Sequence, residues 1–227
     1  MSYCVKNMKN GKSPGIDGFS TDFYKFFWND IREYVLNSLN YAYDNGLLSV
    51  TQKQGVISCL PKEGKSKEYL KNWRPISLLN VDYKIGTSCI AQRIKTVLTK
   101  LISNSQMGFI KGRYIGEGSR LILDLIDRTE EDQIPGLLIL LDFEKAFDSL
   151  EWDFMFKCLT FLGFGESIIR WVRLFYTDIT SCVVNNGHCS GFFPLKRRVR
   201  QRDPISPYLF ILCLEFLSAA VKNNPDI

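Results

Sequence analysis

The segment PGLLILLD, residues 135 to 142, constrains the fold more than any other part of this chain. A Pro-Gly turn leads into a short unbroken apolar run that stops on an aspartate, the pattern of a strand buried on both faces. Around it the hydrophobic period becomes helical. After NGKSPGIDG, residues 10 to 18, Ser20 or Thr21 caps a helix with Phe23, Phe27, Ile31, Tyr34 and Leu39 at helical spacing and Gly46 as its stop. Residues 55 to 60, GVISCL, read as a strand, and Pro61 with the charged stretch to Asn72 as a hairpin tip carrying Lys62, Lys65, Lys67 and Lys71. A second helix is expected over 81–102, with Ile85, Cys89, Ile94, Val97 and Leu101 on one face; Gly86 inside it costs about 1 kcal/mol relative to alanine. Further helices are expected over 119–130, 152–162 and 167–176, and from Pro204 through LFILCLEFLSAAV. Asn186-Gly187, between apolar alternations, is the strongest hairpin signal available to a sequence. Interspersed helices and strands, with no internal repeat, predict the α+β class, a small antiparallel sheet packed with helices. A change of character near Ile134 and Pro135 divides residues 1–133 from 134–227.

Composition narrows the classes. With 45% hydrophobic and 13% aromatic residues in 227, the chain can bury one sizeable core or two small ones, which excludes disorder as a whole. A formal charge of +5 fits an anionic partner and fits an ordinary solvated surface equally well. Cys4, Cys59, Cys89, Cys158, Cys182, Cys189 and Cys213 are odd in number and contain no C-x-x-C pair, so free thiols in a reducing compartment, cytoplasm or nucleus, are expected. His188 beside Cys189 reads as part of a turn rather than a metal site. No run approaches the roughly 18 apolar residues of a membrane span, and no cleavable signal pattern is present, so a soluble intracellular protein is expected.

The sharpest local feature is LDFEKAFDSLEW, residues 141 to 152, with Asp142 at the strand end and Asp148 six residues on. A carboxylate there can hold Mg²⁺, a hard cation that prefers oxygen ligands; read alone, it is more often a helix cap. Together with KSPGIDGFSTDFYKFFW, LPKEGKSKEYLKNWRPISLLNVDYKI, QMGFIKGRYI, LGFGESIIRWV, VVNNGHCSGFF and VRQRDPISPYLF, it resembles, block after block and in order from about Lys9 to Leu217, the reverse transcriptases of non-LTR (long interspersed) retrotransposons. The resemblance implies the fingers and part of the palm of a right-hand polymerase, with 1–133 fingers-like and 134–227 palm-like. It implies extension of a DNA primer on an RNA template with dNTPs and Mg²⁺.

Position by position, the resemblance makes Asp142 the first catalytic, metal-binding aspartate and the Phe143 carbonyl a second oxygen ligand. Phe147 becomes the aromatic gate under the incoming sugar; read alone it is a core phenylalanine. Lys62 and Arg74 become the residues that grip the triphosphate, where a lysine point charge and an arginine fork both suit phosphate; read alone they belong to a solvated hairpin tip. Gln201 falls at the nucleotide and template. Lys12, Arg113 and the basic run Lys196, Arg197, Arg198 and Arg200 are candidates for template or primer phosphates. Two departures stand out. The family's aromatic-x-Asp-Asp motif does not occur in these 227 residues, so a truncated fragment, inactive alone, is expected. Arg198 and Arg202 stand where the family places glycine, which predicts special backbone angles there and an Arg202 that crowds the nucleotide site. The alternatives are a non-catalytic nucleic-acid-binding remnant and a pseudogene product without function.

Overall fold

The computed structural model describes residues 1–143 and 145–224. Glu144 of the EKAFDS motif, and the last three positions of the palm-like division, lie outside the described residues. In chain order the elements are α1 (Ser2–Asn7), α2 (Thr21–Phe26), α3 (Trp28–Asn45), α4 (Val50–Lys53), β1 (Gln54–Pro61), β2 (Trp73–Leu79), α5 (Val81–Leu101), α6 (Ile115–Glu131), α7 (Ala146–Ser149), α8 (Trp152–Phe161), α9 (Glu166–Tyr176), β3 (Thr180–Asn185), β4 (His188–Cys189), β5 (Phe193–Pro194) and α10 (Ser206–Lys222). Helices and one small sheet make this an α+β fold.

Local chemistry explains most boundaries. The Ser20 hydroxyl accepts from Phe23 N at 3.3 Å, capping α2. Phe27 then leaves helical geometry, so the single expected helix is two, and Gly46 closes α3 in the left-handed basin at φ 71°. Ser49 and Gln52 form a reciprocal capping box on α4. Asn186 and Gly187, with φ of 49° and 78°, join β3 to β4 in the tight hairpin that the dipeptide predicts.

Two expectations about the sheet are corrected. The strand order is β2-β1-β3-β4 with β5 also on β3, and β1 pairs β3 in parallel, so the sheet is mixed rather than antiparallel. The chain between β1 and β3 is long enough to return in the same direction, which a hairpin cannot do. The run 136–142 is not a strand. A strand forms only where a neighbour completes its ladder, and among the described residues every ladder runs along β1 or β3, with 136–142 on neither. Its side chains stand in the open, Leu137 at 85% exposure and Leu140 at 77%. No residue of α6 is buried either, and α6 with residues 133–138 lines an open, largely apolar cleft of about 670 Å³.

The main apolar core draws on both sides of position 134. Leu39, Tyr83, Ile94 and Leu98 meet Phe175, Leu209 and Leu212, each side chain contributing roughly 1.5–3 kcal/mol on burial. Gly86 sits where α5 meets α3 and α9. A Cβ there would stand 3.1 Å from Leu39 Cδ2 and 3.3 Å from Phe175 Cε1, so the weak helix former permits close packing.

Candidate functional site

The residues singled out from sequence fall on two loops, a hairpin, the N-terminal segment and, for Arg113, the turn after α5. The first loop runs from Asp142 to α7. Asp142 is exposed in irregular backbone, and Lys145, at φ 52°, turns the chain into α7. The rings of Phe143 and Phe147 both meet Phe210 of α10 edge-on, at 6.4 and 5.1 Å. Phe147 is also packed against the main core, so its position serves packing whatever else it does.

The second loop, residues 196 to 205, is tied to the first by its backbone. Val199 N donates to Phe147 O at 2.9 Å and Arg198 N to Leu150 O at 2.8 Å; the Trp152 indole donates to Arg198 O at 2.8 Å. The block VRQRDP is therefore built onto the block FDSLEW. Gln201 lies half-buried in the turn of this loop. Arg198 and Arg202 both adopt left-handed backbone, φ 85° and 63°, which is the glycine-like geometry expected at these two places. The Arg198 side chain points inward, with Nε 3.8 Å from Asp148 Oδ1 and Nη2 donating to Ser77 Oγ at 3.1 Å. Burial lowers its pKa, and the Asp148 charge opposes that shift.

Arg200 requires a correction. At 1% exposure it is inside the protein and cannot grip a nucleic-acid phosphate. Its guanidinium lies 4.9 Å over the Tyr83 ring, and Nη2 donates to the carbonyl of Lys53. Tyr83 in turn donates to Asp203 Oδ2 at 3.0 Å, and Ile205 N donates to Asp203 Oδ1 at 3.3 Å. Burial raises the pKa of the Asp203 carboxyl, against hydrogen bonds from Thr87 and Ile205 and the charge of Arg200. Arg200 thus anchors the second loop to α4 and α5. Arg198, equally, spends its fork on Asp148 and Ser77 and not on a ligand. Arg113 does likewise, donating from Nη1 to Ser103 O at 2.5 Å and Gln106 O at 2.7 Å, and from Nη2 to Ile102 O at 3.2 Å; it staples the turn after α5.

Lys62 and Arg74 fare differently. In the β1–β2 register Leu60 faces Arg74, and Lys62 N bonds Asn72 O at 2.8 Å, so Lys62 and Arg74 share the more open face of the hairpin. Lys62 Nζ donates to Lys71 O at 2.8 Å, while Arg74 is exposed with no hydrogen bond or ion pair among the described residues. Lys12 is exposed on the KSPGIDG loop. That loop is held by Asn80, the cap of α5: a Cβ on Gly15 would stand 1.9 Å from Asn80 Oδ1, and the same oxygen accepts from Asp17 N at 3.5 Å. Two of the blocks quoted from sequence meet there.

Sequence reasoning did not single out Ser77, Asn80, Tyr83, Thr87 or Asp203. All are buried polar residues inside or beside the quoted blocks, and their signal was only that position. The seven cysteines are free thiols, with Cys4 and Cys89 sulfurs 3.6 Å apart. His188 and Cys189 form β4, and among the described residues no group of three or more His, Cys, Asp or Glu could hold a metal ion. No helix among them is long and apolar enough to cross a membrane.

Residues 60–226 match the family model described as reverse transcriptase (RNA-dependent DNA polymerase). A transposon TX1 protein of 149 kDa from Xenopus laevis, itself uncharacterized, is 33% identical over 235 positions that cover 100% of this chain and 18% of that protein. A putative 115 kDa protein in the type-1 retrotransposable element R1DM of Drosophila melanogaster is 25% identical, covering 94% of this chain and 20% of its own length. The Pol polyprotein of the retrotransposable element R2 from Popillia japonica is 26% identical, covering 74% and 23%. The chain spans about a fifth of the length of these relatives.

Proposed function

Because the chain belongs to the reverse transcriptase (RNA-dependent DNA polymerase) family of non-LTR retrotransposons, we propose that it forms the nucleotide- and template-facing part of an RNA-directed DNA polymerase. In this reading residues 1–133 are fingers-like and 134–227 palm-like. Asp142 is the first carboxylate of the reaction centre, Phe147 and Gln201 flank the incoming dNTP, and Lys62 and Arg74 receive its phosphates. The observation that carries the reading is the backbone tie between Phe147 and Val199, which sets the Asp142 loop beside the Gln201 loop. The hairpin face shared by Lys62 and Arg74 adds cations free of carboxylate partners among the described residues, suited to an anionic ligand.

A divalent ion is not supported by these residues alone. Phosphoryl transfer between two metal ions needs several carboxylates, and among the described residues no group of three or more His, Cys, Asp or Glu could hold a metal ion. No adjacent Asp-Asp occurs in the 227 residues. The 227-residue polypeptide is therefore expected to bind primer-template and not to extend it.

The test is primer extension with dNTPs and Mg²⁺, run beside a binding titration across salt. Binding that weakens steeply with salt, and weakens again in Lys62→Ala and Arg74→Ala, supports the reading. Salt-insensitive binding would overturn it, and any extension by the polypeptide would overturn the expected inactivity.

A further inference from the structure

Six of the seven free cysteines stand in pairs, and the fold rather than the sequence brings most of them together. The Cys89 thiol of α5 donates to the Cys4 sulfur of α1 at 3.6 Å, across 85 positions of chain. Cys158 of α8 is the side-chain neighbour of Cys213 of α10, and Cys182 of β3 that of Cys189 of β4. The pairs differ in access. Cys158 and Cys213 are both buried, and Cys182 and Cys189 join two strands that a ladder already ties. Cys89 is half-buried, and Cys4, although only 7% exposed, lines an open cleft of about 690 Å³ beside Ser88 and Gln92. The Cys4–Cys89 pair is therefore within reach of a small solute and also spans elements distant in sequence. The elements it spans are otherwise lightly held. α1 and α2 rest on α5 through a second cluster of four buried residues, Val5, Tyr24, Val81 and Ile85, separate from the main core. A small cluster opens locally at lower free energy than the core does. Burial, and then the Cys4 sulfur beside it, push the Cys89 thiol up to about 11, so the resting pair is two thiols.

We propose that Cys4 and Cys89 form a reversible disulfide that staples α1 to α5 when a low-molecular-weight disulfide accumulates around the protein. The more open sulfur, that of Cys89, attacks the small disulfide as the thiolate, which forms a mixed disulfide and releases one small thiolate. Cys4 then attacks the Cys89 sulfur; the Cys4–Cys89 bond forms and the second small thiolate leaves. The protons of the two protein thiols end on the two small thiols, and the two electrons that the protein loses reduce the small disulfide. Closing from 3.6 Å to the roughly 2.0 Å of a disulfide bond asks only for side-chain rotation, because α1 already packs on α5. The bond closes a loop of 85 positions, and a long loop takes much entropy from the unfolded chain. Fixing α1 also fixes one end of the KSPGIDG loop, which follows it. The staple requires nothing of the polymerase reading.

The experiment incubates the 227-residue chain with oxidised glutathione, alkylates the remaining thiols in denaturant and identifies the peptides of a non-reducing digest by mass. A linked Cys4–Cys89 peptide that disappears with dithiothreitol is expected. The stability readout uses a Cys189→Ser background, which removes the exposed competitor. There, oxidation is expected to raise the thermal midpoint by roughly 5–15 °C. Adding Cys4→Ser should leave Cys89 as the mixed disulfide and abolish the rise; Cys89→Ser is the second variant should Cys4→Ser fail to fold, which its reduced midpoint reports. The linked peptide, the rise and its loss in either serine variant together support the staple. If glutathione marks Cys189 in the parent while Cys4 and Cys89 are recovered separately alkylated, the inference is overturned. It is equally overturned if the linked peptide forms but the midpoint does not rise and the α1 amides exchange as fast as in the reduced chain.

Discussion

Arg198 and Arg202 share the left-handed backbone basin, yet among the described residues only Arg198 has a side-chain hydrogen bond or ion pair to offset it. A non-glycine residue held there costs on the order of 1–3 kcal/mol. Arg202→Gly is accordingly expected to raise stability by about 1 kcal/mol, read as a higher urea midpoint at unchanged slope. Arg198→Gly gains the same relief but leaves Asp148 without its cation and Ser77 without its donor, and a net loss of about 1 kcal/mol is expected. Equal midpoints for the two variants would show that the inward contacts of Arg198 contribute nothing. Asp82 makes a pH-dependent prediction. Burial raises its pKa above the ordinary 3.8, against hydrogen bonds from Gln52 and Tyr83 N. The folded state therefore keeps this proton to higher pH than the unfolded chain does. The stability so gained is complete below the unfolded value and is lost as pH rises through the folded one. Asp82→Asn resembles the protonated form and retains an oxygen for Gln52, so its stability relative to the parent should climb between about pH 4 and about pH 7. A difference that stays flat across that range would mean the Asp82 carboxyl is not shifted.

Among the elements, the contrast lies between β1 and the run 136–142. Both are apolar, but β1 has β2 on one edge and β3 on the other, whereas 136–142 has no ladder among the described residues. Backbone amides of Val56 and Ile57 should resist hydrogen exchange, and those of Leu138 to Leu141 should exchange at near-unprotected rates. Leu140→Lys should change stability by less than about 0.5 kcal/mol, as surface substitutions do. It should also reduce self-association, because the bare faces of 137–141 and α6 form an exposed apolar surface. A loss of several kcal/mol in Leu140→Lys would mean that the segment is buried in solution. Periodicity predicted α5, α6, α8, α9 and α10 to within a few residues at either end, because each carries its own register of apolar positions and its own stops. It did not detect the break at Phe27 or the missing ladder at 136–142, because neither is a property of the local sequence.

Across the molecule, the main core joins Leu39, Tyr83 and Leu98 to Phe175, Leu209 and Leu212, on both sides of position 134. One cooperative unfolding transition is expected, with tryptophan fluorescence and far-UV circular dichroism giving coincident curves; two separated transitions would show that the halves on either side of that position unfold independently. The order of the sequence blocks was enough to identify the family, and the chemistry of Ser20, Gly46 and Asn186-Gly187 was enough to set caps and turns, since these depend on residues a few positions apart. The resemblance to the family also marked Arg198 and Arg202 as places needing glycine-like backbone. It did not determine which arginines face solvent. Arg74, Arg198, Arg200 and Arg202 carry the same charge in the sequence. Packing alone put Arg200 over Tyr83, turned Arg198 onto Asp148, and left Arg74 and Arg202 open. Charge is a property of the residue, but its availability to a ligand depends on neighbours that only the folded chain brings within a few ångströms.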